Sequence, residues 1–144
     1  MKTLVAVVAG LVLTINSFAM DLGAVPQNEA DWLSFLDAIS IVESCGNTNS
    51  IVKDVNGKYS YGCLQIQQAY LTDSRLAYSL EDMLVKEKAY EVATACLKRY
   101  AVHYKKVTGK DASYEVLARI HNGGPTGWAK SSTDSYVEKL RSVL

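Results

Sequence analysis

Prolines number two and cysteines three in this chain of 144 residues, and no second long apolar run follows the first. Each scarcity closes a class. No Pro-rich linker, repeat or low-complexity tract divides the sequence, so one compact unit is expected, large enough to bury a single core. Cys45, Cys63 and Cys96 are too few for a disulfide-dense scaffold, and their spacing fits no zinc pattern. An odd number in an exported chain predicts one bridge and one free thiol, with three pairings open. An excess of either charge is also missing, with fifteen basic and fifteen acidic residues. Basic residues are not interleaved with a base-stacking motif, so no nucleic-acid partner is expected.

The apolar run that does exist opens the chain. In "MKTLVAVVAGLVLTINSFAM", Lys2 precedes an apolar stretch from Leu4 to about Ile15, and Ser17-Phe18-Ala19 follow. A basic start, a short apolar centre and small residues before a cut describe a secretory leader over residues 1–19. The run is short for a bilayer span, which leaves a retained anchor as the alternative. Residues 20–144 are then the folded domain. It is expected to be a monomer, secreted or held in an exported compartment such as a periplasm or digestive vacuole, with no stable membrane insertion once the leader is removed.

With 49% hydrophobic and 21% charged residues, the chain reads as a folded globular protein. Its charges are unevenly spread. Residues 20–83 carry three basic and nine acidic side chains, and residues 84–144 carry eleven and six. The second half can attract an anionic polymer, although most such charges serve as solvated helix faces.

The periodicity is mainly helical. Asn28 is placed to cap a first helix whose apolar line runs through Trp32, Phe35, Leu36, Ile39 and Val42, with Gly46 as its stop. "IVKDVNGKYSY", residues 51–61, is instead β-branched and aromatic around Asn56-Gly57, a strong hairpin signal. A two-residue turn there sets Asp54 opposite Tyr59, on one face with Val52 and Tyr61. A short helix is expected over about 64–71. Ser79 with Asp82 marks the start of a long one buried through Ala89, Val92, Cys96, Tyr100 and Val107 and ended by Gly109. Asp111 or Ser113 opens the next, packed through Val116, Leu117 and Ile120 and stopped by "HNGGP". Ser135 with Glu138 resembles a capping box for a last helix carrying Tyr136, Leu140 and Val143. The fold class is α+β, predominantly helical, with one small β-hairpin.

Two carboxylates stand out. Glu43 falls on the apolar line of Leu36 and Ile39, where lost hydration is expected to raise its pKa and make it a proton donor. Asp54, on the hairpin near Lys53 and backbone amides, is expected to ionise more easily. Carboxyl groups whose surroundings push them apart in this way suit glycoside hydrolysis. The plainer readings are a helix-end Glu reaching solvent and an Asp in ordinary Asn-Gly turn chemistry.

The stretches "VESCGNTN", "KDV", "YGCLQIQQAYLTD", "LKRYAVHY" and "ARIHNGGPTGW", followed by a Tyr and "EKL", resemble the invertebrate-type (destabilase-like) lysozymes in order and spacing over about residues 38–140. The resemblance implies a lysozyme-like fold and cleavage of the β-1,4 bond between N-acetylmuramic acid and N-acetylglucosamine in bacterial peptidoglycan. No metal or cofactor is implied. Glu43 matches the family's general acid, and Asp54 its second carboxylate, a nucleophile or oxocarbenium stabiliser. Members are usually rich in cysteine, whereas Cys45 here is displaced by one place and Cys63 and Cys96 stand where aromatic residues are common. No disulfide pairing is therefore carried over.

Around the pair, Tyr61 and Tyr70 are candidates to stack on a sugar, and Gln65 to bond an N-acetyl group, with core packing the alternative for both tyrosines. His121 and Asn122 end a helix, either lining the cleft or capping carbonyls. Trp128 either flanks the cleft or packs in the core. Two rival activities remain: a lytic transglycosylase working with Glu43 alone, and a lysozyme-like protein that binds peptidoglycan without cleaving it.

Overall fold

The computed structural model describes residues 20–144, so the expected leader lies outside the described residues. Among the described residues, five α-helices, α1 (Glu29–Ser44), α2 (Gln68–Ser74), α3 (Lys86–Thr108), α4 (Tyr114–Gly123) and α5 (Asp134–Arg141), surround one core beside a two-stranded sheet of β1 (Ile51–Lys53) and β2 (Tyr59–Tyr61). Helix α3, about 35 Å long at 1.5 Å per residue, is packed by α1, α2 and α4. Phe35, Leu36 and Ile39 of α1 meet Leu97 of α3, Leu117 and Ile120 of α4 and Leu140 of α5 in that core, all fully buried.

Helix α1 begins as its sequence dictates. The Asn28 side chain accepts from the Asp31 N–H at 3.0 Å, and Glu29 and Asp31 sit at the positive end of the helix dipole. It ends one residue earlier than the glycine suggests. Cys45 turns left-handed at φ 54, and the Cys45 and Gly46 N–H groups return to the carbonyls of Ile41 and Ser40. Glu43 is thereby held in the last regular turn of α1.

The hairpin forms, but in a different register. Lys53 faces Tyr59, Val52 faces Ser60 and Ile51 faces Tyr61. The Asp54 N–H bonds Lys58 O at 2.8 Å and the Gly57 N–H bonds Asp54 O at 2.9 Å. The loop is therefore Val55-Asn56-Gly57, a three-residue connection with Gly57 at φ +80. Because alternate residues face opposite sides, this one-residue difference turns Tyr59 and Tyr61 away from Asp54 and sets Ser60 on its face instead. Lys53 also leaves Asp54 and lies over the Tyr59 ring, 5.5 Å from its centre.

Other elements shift for local reasons. Helix α2 starts at Gln68 rather than near Leu64, because Gln65 adopts φ 52 and Tyr61 and Ile66 close a backbone bridge around the bend. Ser79 and Asp82 do exchange capping bonds, but over a single 3-10 turn, Glu81–Leu84, ahead of α3. Ser113 caps α4 through the Val116 N–H. The Ser135–Glu138 box does not form: α5 starts at Asp134 after Thr133, whose buried hydroxyl turns inward to the Gly127 and Lys130 carbonyls. Val107, in the last turn of α3, is exposed, and Tyr104 takes the buried place against Trp128. Val143, after the end of α5, is also exposed, while Val137 joins Tyr136 and Leu140 in the core. All three cysteines are free thiols, Cys45 exposed and Cys63 and Cys96 buried, so the expected bridge is absent.

Candidate active site

The C-terminal turn of α1, the hairpin, α2 and the end of α4 enclose a cleft of about 530 Å³, a size suited to a small ligand or part of a polymer. Glu43 and Asp54 line it from opposite elements, together with Val52, Ser60, Gln65, Gln67, Tyr70, His121 and Asn122. A larger groove of about 670 Å³ between α1 and α3, past Trp32 and Tyr90, offers less chemistry. Its Asp37 is already bound to Lys86 at 2.9 Å and to the Tyr90 hydroxyl at 2.7 Å.

Glu43 arrives where the helical line of Leu36 and Ile39 points it, with its side chain only 19% exposed. Two neighbours from distant parts of the chain meet it. The Tyr136 hydroxyl of α5 donates to Oε1 at 2.8 Å, and His121 Nε2 of α4 lies 3.4 Å from the same oxygen. Burial by itself pushes the Glu43 pKa up. The His121 ring, the Tyr136 hydroxyl and the charge of Lys139 outweigh it and leave the carboxyl below the ordinary glutamate range. This reverses the raised value expected from helical periodicity, because a carboxylate given donors keeps its charge even when buried. Tyr136 is pushed well above the tyrosine range, first by burial and then by the Glu43 charge, so its hydroxyl keeps its proton and can donate.

Asp54 follows β1 and is half-buried. Gln67, just ahead of α2, donates an amide N–H to its Oδ2 and another to Ser60 Oγ at 3.1 Å. The Asp54 carboxylate is thus held by an amide rather than by Lys53. Gln65 lines the cleft and bonds the Gly62 carbonyl at 2.8 Å. Tyr70 lines it too, with its hydroxyl 3.1 Å from His121 Nδ1. Asn122 is exposed at the rim.

Of the seven residues singled out from the sequence, the structure brings Glu43, Asp54, Gln65, Tyr70, His121 and Asn122 to one cleft. Tyr61 is not among the residues lining it; the hairpin register turns it to the other face, where it packs on the core. Trp128 lies against Tyr104, ring centres 5.3 Å apart, away from the cleft. Gln67, Ser60 and Tyr136 also reach the two carboxylates or their partners, and no sequence signal marks them for it. Gln67 stands beside Gln65 in "LQIQQ" and carried no separate signal, and Tyr136 has the spacing of an ordinary core residue.

No protein-family model matches the chain. Among curated proteins it is similar to a lysozyme of Meretrix lusoria, 34% identical over 88 residues that span 60% of this chain and 70% of that protein. It is also 36% identical over 96 residues to invertebrate-type lysozyme 6 of Caenorhabditis elegans, covering 60% of this chain and 69% of that one. Among solved structures, Tapes japonica lysozyme aligns with a TM-score of 0.65 at 31% identity, over 74% of this chain and 85% of that chain.

Proposed function

The chain belongs to the invertebrate-type lysozyme family, and from that premise we propose that it hydrolyses the β-1,4 bond between N-acetylmuramic acid and N-acetylglucosamine in bacterial peptidoglycan, with retention, through Glu43 and Asp54. The observation that carries the reading is the placement of two carboxylates on one cleft with unlike partners: Glu43 enclosed by a phenol and an imidazole, Asp54 held by an amide.

In the first step, protonated Glu43 gives its proton to the glycosidic oxygen as the C–O bond breaks. Asp54 bonds to the anomeric carbon, or stabilises its developing positive charge, from the opposite side. The N-acetylglucosamine end departs as a neutral alcohol. In the second step, the Glu43 carboxylate takes a proton from water while the oxygen attacks the same carbon and frees Asp54. Two displacements at one carbon return the original configuration. Such chemistry requires carboxyl groups roughly 5–5.5 Å apart in the substrate complex, against roughly 6.5–9.5 Å for inversion. We assign Gln65 and Asn122, which line the cleft, to bonding N-acetyl groups. We place this activity outside the producing cell, after removal of residues 1–19.

The test is mass spectrometry of fragments released from purified peptidoglycan by the wild type, Glu43→Gln and Asp54→Asn. Reducing-end fragments from the wild type, lost in both variants, are the expected result. Anhydro ends that persist in Asp54→Asn would assign the chain to the lytic transglycosylases. A folded wild type that binds the polymer and releases nothing would sink the enzymatic reading.

A further inference from the structure

A general acid that rests as a carboxylate needs a source for its proton, and the surroundings of Glu43 supply one. His121 is almost completely enclosed, its side chain 4% exposed. Its ring lies edge-on to Tyr70, centres 5.3 Å apart, and tilted against Tyr136 at 6.3 Å. Both ring nitrogens have polar partners: Nδ1 faces the Tyr70 hydroxyl at 3.1 Å and Nε2 faces Glu43 Oε1 at 3.4 Å. A histidine that merely filled space between two tyrosines would not need a carboxylate at one nitrogen and a phenol at the other.

We propose that His121 is the positioning residue that stores the catalytic proton, so that the Glu43–His121 pair, bridged at 3.4 Å and anchored by Tyr70, carries one proton between them through the reaction cycle. This rests on the reading of Glu43 as general acid. The proposed cycle begins with the shared proton on Nε2 and Glu43 a carboxylate. Substrate filling the cleft removes water from Glu43 and disfavours its charge. The Nε2–H proton then passes to Oε1, the N–H bond breaking as the O–H bond forms, and His121 is left neutral with its Nδ1–H still on the Tyr70 oxygen. A half-turn of the carboxyl presents the protonated oxygen to the glycosidic bond. In the second step Glu43 takes a proton from water and returns it to Nε2, so the cycle closes without net gain or loss. The 3.4 Å gap must shorten by about half an ångström for this transfer, a tightening common between free and substrate-bound sites.

Each surrounding element contributes a group that bears on this proton. From α2 come Tyr70, pushed well above the tyrosine range by burial and so kept as a phenol, and farther along the cleft Asp73. From α5 come Tyr136 and the more distant Lys139, both favouring the Glu43 carboxylate. Tyr100 of α3 and, from the hairpin, Asp54 line the same cleft. Coupled groups of this kind titrate as a pair rather than one by one.

The experiment has two readouts. First, the imidazole signals of His121 are titrated by NMR in the wild type and in Glu43→Gln, with exposed His103, the one other histidine, as internal reference. Loss of the carboxylate should lower the His121 midpoint by about one pH unit or more; an unchanged midpoint overturns the proposal. Second, kcat on peptidoglycan is followed against pH for the wild type and His121→Gln, which keeps a donor but cannot titrate. The proton must then sit on Glu43 alone, so the basic limb should move to lower pH by about one unit or more, with KM within about twofold. An equal loss at every pH would mean a purely structural His121 and would overturn it. Should the wild type release nothing from peptidoglycan, the lysozyme reading fails, and the NMR titration still decides by itself whether the pair shares its proton.

Discussion

Gly62 joins the end of β2 to the cleft, and adding one methyl group there tests the packing that holds Asp54 in place. The residue sits at φ +75, and a Cβ on it would fall 1.9 Å from the Met83 carbonyl oxygen and 2.8 Å from its carbon. Both are backbone atoms of the 3-10 turn before α3, and Met83 is fully buried, so nothing flexible can yield. Gly62 is also bound in place, its N–H on Ser50 O at 2.7 Å and its carbonyl accepting the Gln65 side chain at 2.8 Å. Two penalties follow for Gly62→Ala. A Cβ in the left-handed region costs roughly 1–2 kcal/mol. Separating two backbones by about 1 Å in a packed interior costs roughly 1–3 kcal/mol more. A total of about 2–5 kcal/mol should lower the midpoint of thermal unfolding by about 8–19 °C for a domain of this size. Gly57→Ala is the control. Its φ is +80, but nothing lies within 4 Å of the added carbon, so only the backbone penalty of roughly 1–2 kcal/mol applies. Melting followed by circular dichroism should separate the two variants clearly, and Gly62→Ala should also lose activity as the hairpin shifts. Equal melting temperatures for both would refute the close contact and, with it, the account of how the hairpin is seated.

Other changes probe the site and its surroundings. Tyr136→Phe removes the 2.8 Å donor from Glu43 and should destabilise the fold at neutral pH by about 1.5–3 kcal/mol, as for hydrogen bonds to charged groups. Because the folded pKa of Glu43 is depressed, its contribution is present above the unfolded value and lost as pH falls through the folded one; the deficit of Tyr136→Phe should therefore shrink on acidification, and a deficit constant with pH would contradict the assignment. Gln67→Ala frees the Asp54 carboxylate and should lower kcat about 10- to 100-fold through misplacement, with the melting temperature falling little; unchanged kcat would remove Asp54 orientation from the mechanism. In the native protein one thiol per chain, exposed Cys45, should react with a disulfide reagent, and all three should react after denaturation without reductant. Cys63 is shielded by burial, and burial pushes the Cys96 thiol up to about 12; fewer than three after denaturation would mean a bridge.

Much of this architecture was legible because its causes are local. The Asn28 cap, the Ser113 cap and the Gly109 stop each depend on residues within one turn, and each forms. The Asn56-Gly57 signal placed the hairpin correctly. It did not determine the loop length, since a two-residue turn and a three-residue loop ending in a left-handed glycine use the same dipeptide. That single choice decided that Ser60, not Tyr61, shares a face with Asp54. The Ser135–Glu138 box fits its motif and is absent, because Thr133 is drawn into the contact with Gly127 and α5 starts two residues sooner. The expected disulfide failed for a different reason: counting thiols says nothing of where their side chains point, and two of the three are committed to the interior.

By itself the sequence determined that the last turn of α1 carries Glu43 on its apolar line and that a second acid follows on a hairpin, because helical and strand periods depend only on neighbouring residues. Tertiary structure alone decided what those acids are chemically. Tyr136, 93 positions along the chain from Glu43, supplies a hydroxyl, and His121 supplies a second partner from another helix. Periodicity can report that a side chain leaves water, which would raise a carboxyl's pKa. It cannot report which donors replace that water, and here those donors reverse the sign.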